Sequence, residues 1–224
     1  MRKLLQSIAV FCLVPLPLLA GPKPPPACQT RADLELRFSP DGGCTKAIVD
    51  EIRAARSKIL VLAYSFTSDQ IEQALVASKD RGVDVQVIID RARTGERSSG
   101  ASVLDRHAVK VYSDGAHSIQ HQKVMIIDPD DPTATIILGS FNFTKSAEDS
   151  NSENIVVIRS QDMARVFVEN WELHRRHSKL YGDVVSEGRW RGFLTSVETG
   201  ILIGLAPLIL CLIIWRYRLK RKNP

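Results

Sequence analysis

Cross-linking and metal-binding residues are scarce in this chain. Four cysteines stand among 224 residues, and Cys12 and Cys211 lie in its apolar ends. Cys28 and Cys44 are the two that remain, too few for a disulfide-built scaffold. His107, His117, His174 and His177 follow no metal-ligand spacing, which speaks against a zinc-built fold. No tandem repeat is present, so solenoids and propellers are excluded. A basic middle is also missing, although the formal net charge is +5. Eight of the 30 Lys and Arg lie in the ends: Arg2, Lys3, Lys23, Arg216, Arg218, Lys220, Arg221 and Lys222. With Glu198 set aside, 22 basic residues face 24 acidic ones between them, a charge near −2. The basic excess therefore speaks of membrane topology rather than of a polyanionic substrate.

Arg2 and Lys3 precede a short apolar run from Leu4 to Ala20, broken by Pro15 and Pro17. Residues 1–20 thus read as a secretory signal, or as an uncleaved signal-anchor. A Pro-rich linker follows over 21–32. Residues 193–215 are long and apolar enough to span a bilayer core of about 30 Å. After a short linker (183–192) and this span, the tail 216–224 is basic, which predicts a cytoplasmic C-terminus. Both readings of the N-terminus put residues 33–182 outside the cytoplasm. On that oxidising side Cys28 and Cys44 admit either a disulfide or two separate thiols.

Residues 33–182 are enough chain for one domain with its own core. Leu34–Phe38 alternates as a strand does. Ile48, Ile52 and Ala55 recur at helical spacing. Lys58–Tyr64 is an apolar run of the buried-strand type. Ser68 stands at the start of a helix through Ile71, Ala74 and Leu75, and Val83–Asp90 is the next strand. This rhythm predicts an α/β fold, a mixed and mostly parallel sheet flanked by helices. Further strands are expected at Val109–Tyr112, Lys123–Asp128, Thr135–Leu138 and Asn154–Ile158, with Pro129–Pro132 as a turn. A long amphipathic helix follows Ser160.

The chemistry concentrates in the second half. His121-Gln122-Lys123 is followed after four residues by Asp128 and after ten more by Gly139-Ser140-Phe141-Asn142, then Glu153-Asn154. On strands, His121 and Lys123 share a face, and so do Ser140 and Asn142. Adjacent strand ends would offer an imidazole, an ammonium, a hydroxyl and an amide to one point. A neutral imidazole can attack phosphorus while Lys and Asn hold the non-bridging oxygens. A histidine two before a lysine is common; joined to Gly-Ser-x-Asn at a strand end it is specific. Gly139 would let backbone approach closely.

These residues resemble the phospholipase D superfamily, with its signature H-x-K-x4-D-x6-G-S-x-N. The stretches Tyr64–Ser68, Arg81–Val85, Gly139–Thr144 and Asn151–Asn154 resemble its small single-motif bacterial nuclease branch, over about Asp33 to Leu180. Ten residues rather than six separate Asp128 from Gly139, and the extra ones fall in the Pro129–Pro132 turn. The resemblance implies His121 as nucleophile and Lys123, Ser140 and Asn142 as phosphate contacts. It implies Glu153 as the imidazole's partner and Asp128 as a motif residue of supporting character. It implies no metal and no cofactor. It also implies a homodimer, since one motif supplies one of two histidines.

Arg91, Arg93 and Arg97 follow the end of a strand, where α/β ligands bind; they fit a polyanion track and equally a solvated loop. His117 lies in the loop before the motif. Three functions remain open: a nuclease acting outside the cytoplasm, a phospholipase D acting on the adjacent bilayer, and a catalytically silent membrane-bound adaptor. Small size and a single motif favour nucleic acid as substrate; the tether favours phospholipid.

Overall fold

The computed structural model describes residues 32–188 with Arg97 excepted. The expected signal, membrane-spanning segment and basic tail lie outside the described residues, as does Cys28; of the expected linker over 183–192, residues 183–188 are described and are helical. Among the described residues no helix is long and apolar enough to cross a membrane.

Strand β1 (Asp33–Ser39) is followed by α1 (Cys44–Ala54), β2 (Lys58–Ala63), α2 (Asp69–Asp80) and β3 (Asp84–Asp90). Next come α3 (Arg91–Thr94), α4 (Ala101–Arg106), β4 (Lys110–Asp114), β5 (Lys123–Ile127) and β6 (Thr135–Gly139). The described elements end with α5 (Lys145–Asp149), β7 (Glu153–Arg159), α6 (Gln161–His177) and β8 (Lys179–Leu180). The eight strands form one sheet in the order β1-β7-β6-β5-β2-β3-β4-β8.

The apolar run of β2 shows why this strand is central. Ile59, Val61 and Ala63 point to the layer of α1 and α2, where Ile48, Ile52, Ile71 and Leu75 are fully buried. Leu60 and Leu62 point to the other layer, under Trp171 of α6. Each such side chain contributes about 1.5–3 kcal/mol on burial, so a strand covered on both faces has no polar alternation. Trp171 satisfies its indole N–H on the Val61 carbonyl at 3.2 Å, which registers α6 on β2. The Ser160 hydroxyl accepts from the Met163 amide and caps α6, as its position ahead of the apolar stripe implies.

The expectation of a mostly parallel sheet is corrected. β2, β3 and β4 pair in parallel through helical crossovers. β5 pairs antiparallel with β2, and β6, β7, β1 and β8 all join by antiparallel pairing. A linker explains part of this. The Pro129–Pro132 turn between β5 and β6 is too short for a crossover. β1 lies at the far edge beside β7, and not next to β2 as the alternating rhythm suggests.

Candidate active site

The topology brings several strand ends to one rim. β5 starts where β2 ends, Ala63 pairing with Lys123. β6 ends beside that start, Leu138 pairing with Val124, and β7 starts beside the end of β6. His121 and Lys123 thus stand next to Ser140, Asn142 and Glu153. Gly139 is needed for this approach: a Cβ there would lie 2.1 Å from the Asn154 carbonyl oxygen.

His121 is exposed and Lys123 is buried beneath it. Lys123 Nζ lies 3.1 Å from His121 Nδ1 and donates to the His121 carbonyl at 2.8 Å. An ammonium can only donate, so Nδ1 accepts in this arrangement. Burial lowers the Lys123 pKa from its usual value, and the Glu153 charge works the other way. The Tyr64 ring, just past β2, packs 4.7 Å from the imidazole centroid and 5.3 Å from Lys123 Nζ. Such a ring face suits a cation.

Of the three loop arginines, Arg93 reaches this rim. It donates to the Tyr64 hydroxyl at 2.5 Å and pairs with Glu96; both bonds raise its already high pKa. Arg91 turns instead toward Gly115, and Arg97 lies outside the described residues. Ser140 is exposed, its hydroxyl accepting from the Asn154 amide at 3.2 Å. Asn142 Oδ1, Arg93 Nε and Gln120 Nε2 are buried without a protein partner. Two of these three are donors, a costly condition unless a bound group accepts from them.

Two carboxylates of the motif stand apart from the imidazole in this structure. Asp128 is not at the site. It follows the opposite end of β5, roughly 17 Å along the strand from Lys123. There its carboxylate accepts from the amides of Arg56, Ser57 and Lys58 and from the Ser57 hydroxyl, at 2.7–2.9 Å. Burial opposes the charge, yet these bonds hold its pKa below the usual value. Its backbone is left-handed, φ 47°, a conformation Asp tolerates. Asp128 therefore bolts the turn between α1 and β2 to the end of β5. Glu153, at the start of β7, accepts from Asn151 Nδ2 at 3.3 Å; it acts on Lys123 through its charge and makes no bond to His121 here. Cys44 is fully buried, its thiol pushed up to about 11 by burial and by Glu148. Its expected disulfide partner, Cys28, lies outside the described residues.

The sequence reading missed what holds the motif in place. Buried Asp90 ends β3 and accepts from the Gln120 amide at 2.8 Å and the Ala92 amide at 2.9 Å. Gln120 in turn accepts from the Gln122 amide at 2.7 Å. This carboxylate-to-backbone chain fixes the segment that carries His121. Its sequence signal is an Asp ending an apolar strand, too common to single out.

A sheet rim that presents a histidine over a buried lysine beside Gly-Ser-x-Asn is matched by known proteins. The family model "Cardiolipin synthase, PLD-like domain" covers residues 48–174. The chain belongs to the phospholipase D superfamily. It is 37% identical over 142 residues to a protein named phospholipase D from Rickettsia bellii, covering 63% of this chain and 69% of that one. Nuc of Salmonella typhimurium, a phospholipase D family member, superposes with a TM-score of 0.64 at 36% identity over 67% of this chain and 99% of Nuc. The mitochondrial cardiolipin hydrolase of Mus musculus is 30% identical over 119 residues, 53% of this chain and 52% of that protein. Membership makes this a phosphodiesterase fold, in the nuclease-like branch.

Proposed function

We propose that the protein hydrolyses phosphodiester bonds in nucleic acid through a phosphohistidine on His121, without a metal, as a homodimer whose domain faces away from the cytoplasm. The observation that carries this reading is the exposed imidazole directly over a buried lysine, beside buried donors that lack acceptors. An arriving phosphate draws Lys123 Nζ from Nδ1 onto a non-bridging oxygen. Nδ1 then takes the ring proton, which Glu153 accepts as a hydrogen bond after a rotamer change, and Nε2 is free to attack. The N–P bond forms as the P–O bond to the leaving group breaks. The leaving oxygen takes a proton from the second copy's His121. Water then attacks phosphorus, giving its proton to that second histidine, and the N–P bond breaks. Lys123, Ser140 and Asn142 hold the oxygens whose charge grows in the transition state.

The second copy is required because one motif supplies one histidine. Leu34, Leu36 and Phe38 of β1 stand 59–66% exposed and continue toward the rim, since Phe38 pairs with Asn154 and Ser39 with Glu153. An apolar stripe of this kind suits a second copy. Light scattering on the full-length chain should give twice the monomer mass, and full activity of a monomer would refute the dimer. The segments 1–20 and 193–215 supply the tether. Protease added outside intact cells should digest the domain, and protection until lysis would refute its placement.

One observation favours a phospholipid substrate instead: two of the relatives are named phospholipase D and cardiolipin hydrolase. The full-length chain, assayed in EDTA on DNA, on RNA and on phospholipid vesicles, separates the two. Head-group release with nucleic acid left intact would reverse the ranking.

A further inference from the structure

His117, His174 and His177 stand far apart in sequence from any recognisable metal motif, yet the fold gathers them round one carboxylate. Asp114 ends β4 with a fully buried side chain. His117 follows in the loop toward β5. His174 and His177 lie three apart in the last turn of α6 and so share a face. Asp114 Oδ2 is 3.1 Å from His117 Nδ1, 3.1 Å from His174 Nδ1 and 3.4 Å from His177 Nε2. The four potential ligand atoms all lie within 4.8 Å of one another.

Hydrogen bonding alone accounts poorly for this cluster. One carboxylate oxygen has two lone-pair positions, and three imidazole nitrogens surround Oδ2. The other oxygen is engaged by the Ala116 amide at 3.0 Å. Burial works against the charge on Asp114, but the bonds from His174, Ala116 and His117 hold its carboxyl well below the usual range. The result is a buried anion under three packed imidazoles whose centroids are 4.8, 5.0 and 5.5 Å apart.

We propose that Asp114, His117, His174 and His177 form a binding site for a divalent transition-metal ion, with Zn²⁺ as its first occupant, structural in role and separate from His121. Tetrahedral zinc with bonds of about 2.0–2.1 Å places its ligand atoms about 3.3 Å apart. The three Asp–His separations already match that edge. The histidines must close on one another by up to about 1.5 Å to complete it. His117 and His177, with side chains 46% and 30% exposed, have room to do so. Three imidazoles with one carboxylate and no thiolate suit zinc, nickel or copper(II) rather than calcium or magnesium, which take oxygen ligands.

A cavity of about 490 Å³, lined in part by Arg91, His177, Lys179 and Glu187, gives the ion a path in. The outer ligand sphere is present too. The Gln122 side-chain amide lies 3.1 Å from His174 Nε2. With Nδ1 on the metal, Nε2 carries the proton and the amide turns its oxygen to accept it. Gln122 stands between His121 and Lys123. The ion thus ties β4, its following loop and the end of α6 together, and steadies the segment that bears the nucleophile while taking no part in bond breaking.

The test uses the untagged full-length chain, stripped with chelator and then titrated with Zn²⁺ and with Co²⁺. One equivalent of zinc should bind, cobalt should show the strong visible bands of a tetrahedral site, and Tm should rise by several degrees on loading. The double variant H117A/H177A should lose all three responses, its Tm being the same with and without zinc. His121→Asn should bind metal as the wild type does, so the result is independent of the proposed reaction. If the double variant fails to fold, X-ray absorption of the zinc-loaded wild type decides: three imidazoles are expected, and any other count overturns the site. Binding that is absent at a hundred micromolar zinc, or that persists in a folded double variant, overturns it equally.

Discussion

The two ends of β5 carry letters of one motif and are satisfied to different degrees. At its start, His121 is exposed, Lys123 is buried with a lowered pKa, and neighbouring donors lack acceptors. Past its other end, Asp128 has four donors on its carboxylate. One motif thus mixes reactive groups with construction. Reactive groups are left partly unpaired so that substrate can complete them. A construction residue is complete already, and its loss is felt as instability.

Substitutions at the two ends should separate accordingly. His121→Asn should lower kcat by about 10⁴-fold or more, because removing a nucleophile disables the unit it works in. Its unfolding free energy should stay within about 0.5 kcal/mol of wild type, as for other exposed sites; steady-state assay and thermal unfolding read the two. Lys123→Met should cost about 10²–10³-fold in kcat, the magnitude of one lost transition-state donor. Its stability should hold or rise, because a buried cation is removed, and a urea titration would show it.

Asp128→Ala should do the reverse. Stability should fall by roughly 3 kcal/mol as buried amides lose their acceptor, with kcat of the folded fraction unchanged. Acid titration sharpens the contrast. The Asp128 pKa is lowered in the fold, so its contribution is present above the unfolded value near 3.9 and is lost as pH falls through the folded value. Asp128→Asn should lack that acid limb in urea unfolding followed from neutral pH downward. Arg93→Ala should have the smallest effect, a rise in KM of a few fold at unchanged kcat, because Arg93 touches the rim through Tyr64 rather than the reacting group. A loss in kcat as large as that of Lys123→Met would move Arg93 into the reaction.

Much of this arrangement was legible in sequence, for physical reasons. Apolar runs covered on both faces, as in β2 and β3, declare buried strands, and the stripe ending at Trp171 declares α6. His121, Lys123, Ser140 and Asn142 were legible because their chemistry needs those side chains at a fixed spacing. The place of β1 was not, because its pairing with β7 spans most of the domain and rests on no local signal. α5 was missed because five residues leave no periodicity to read. For Asp128 only a supporting character was legible, because a motif gives a letter without a direction, and strand length decides which end it serves. The Asp90–Gln120–Gln122 chain runs from side chain to backbone, which no residue type announces. The histidines at Asp114 were passed over because ligand spacing was sought along the chain, while the fold supplies it across β4 and α6.

In the proposed reaction His121 becomes covalently bound to phosphorus. The direct measurement is a rapid quench of the full-length chain in EDTA with whichever substrate, oligonucleotide or phospholipid, it turns over. The quenched protein is digested under alkaline conditions that spare phosphoramidates, and the peptides are weighed by mass spectrometry. On His121 the expected adduct is the phosphorus with the half of the substrate it retains, nucleotidyl or phosphatidyl; it appears within the first turnover, decays as product forms and is absent from His121→Asn. Full-rate turnover without any adduct, or with the adduct on another residue, would contradict it.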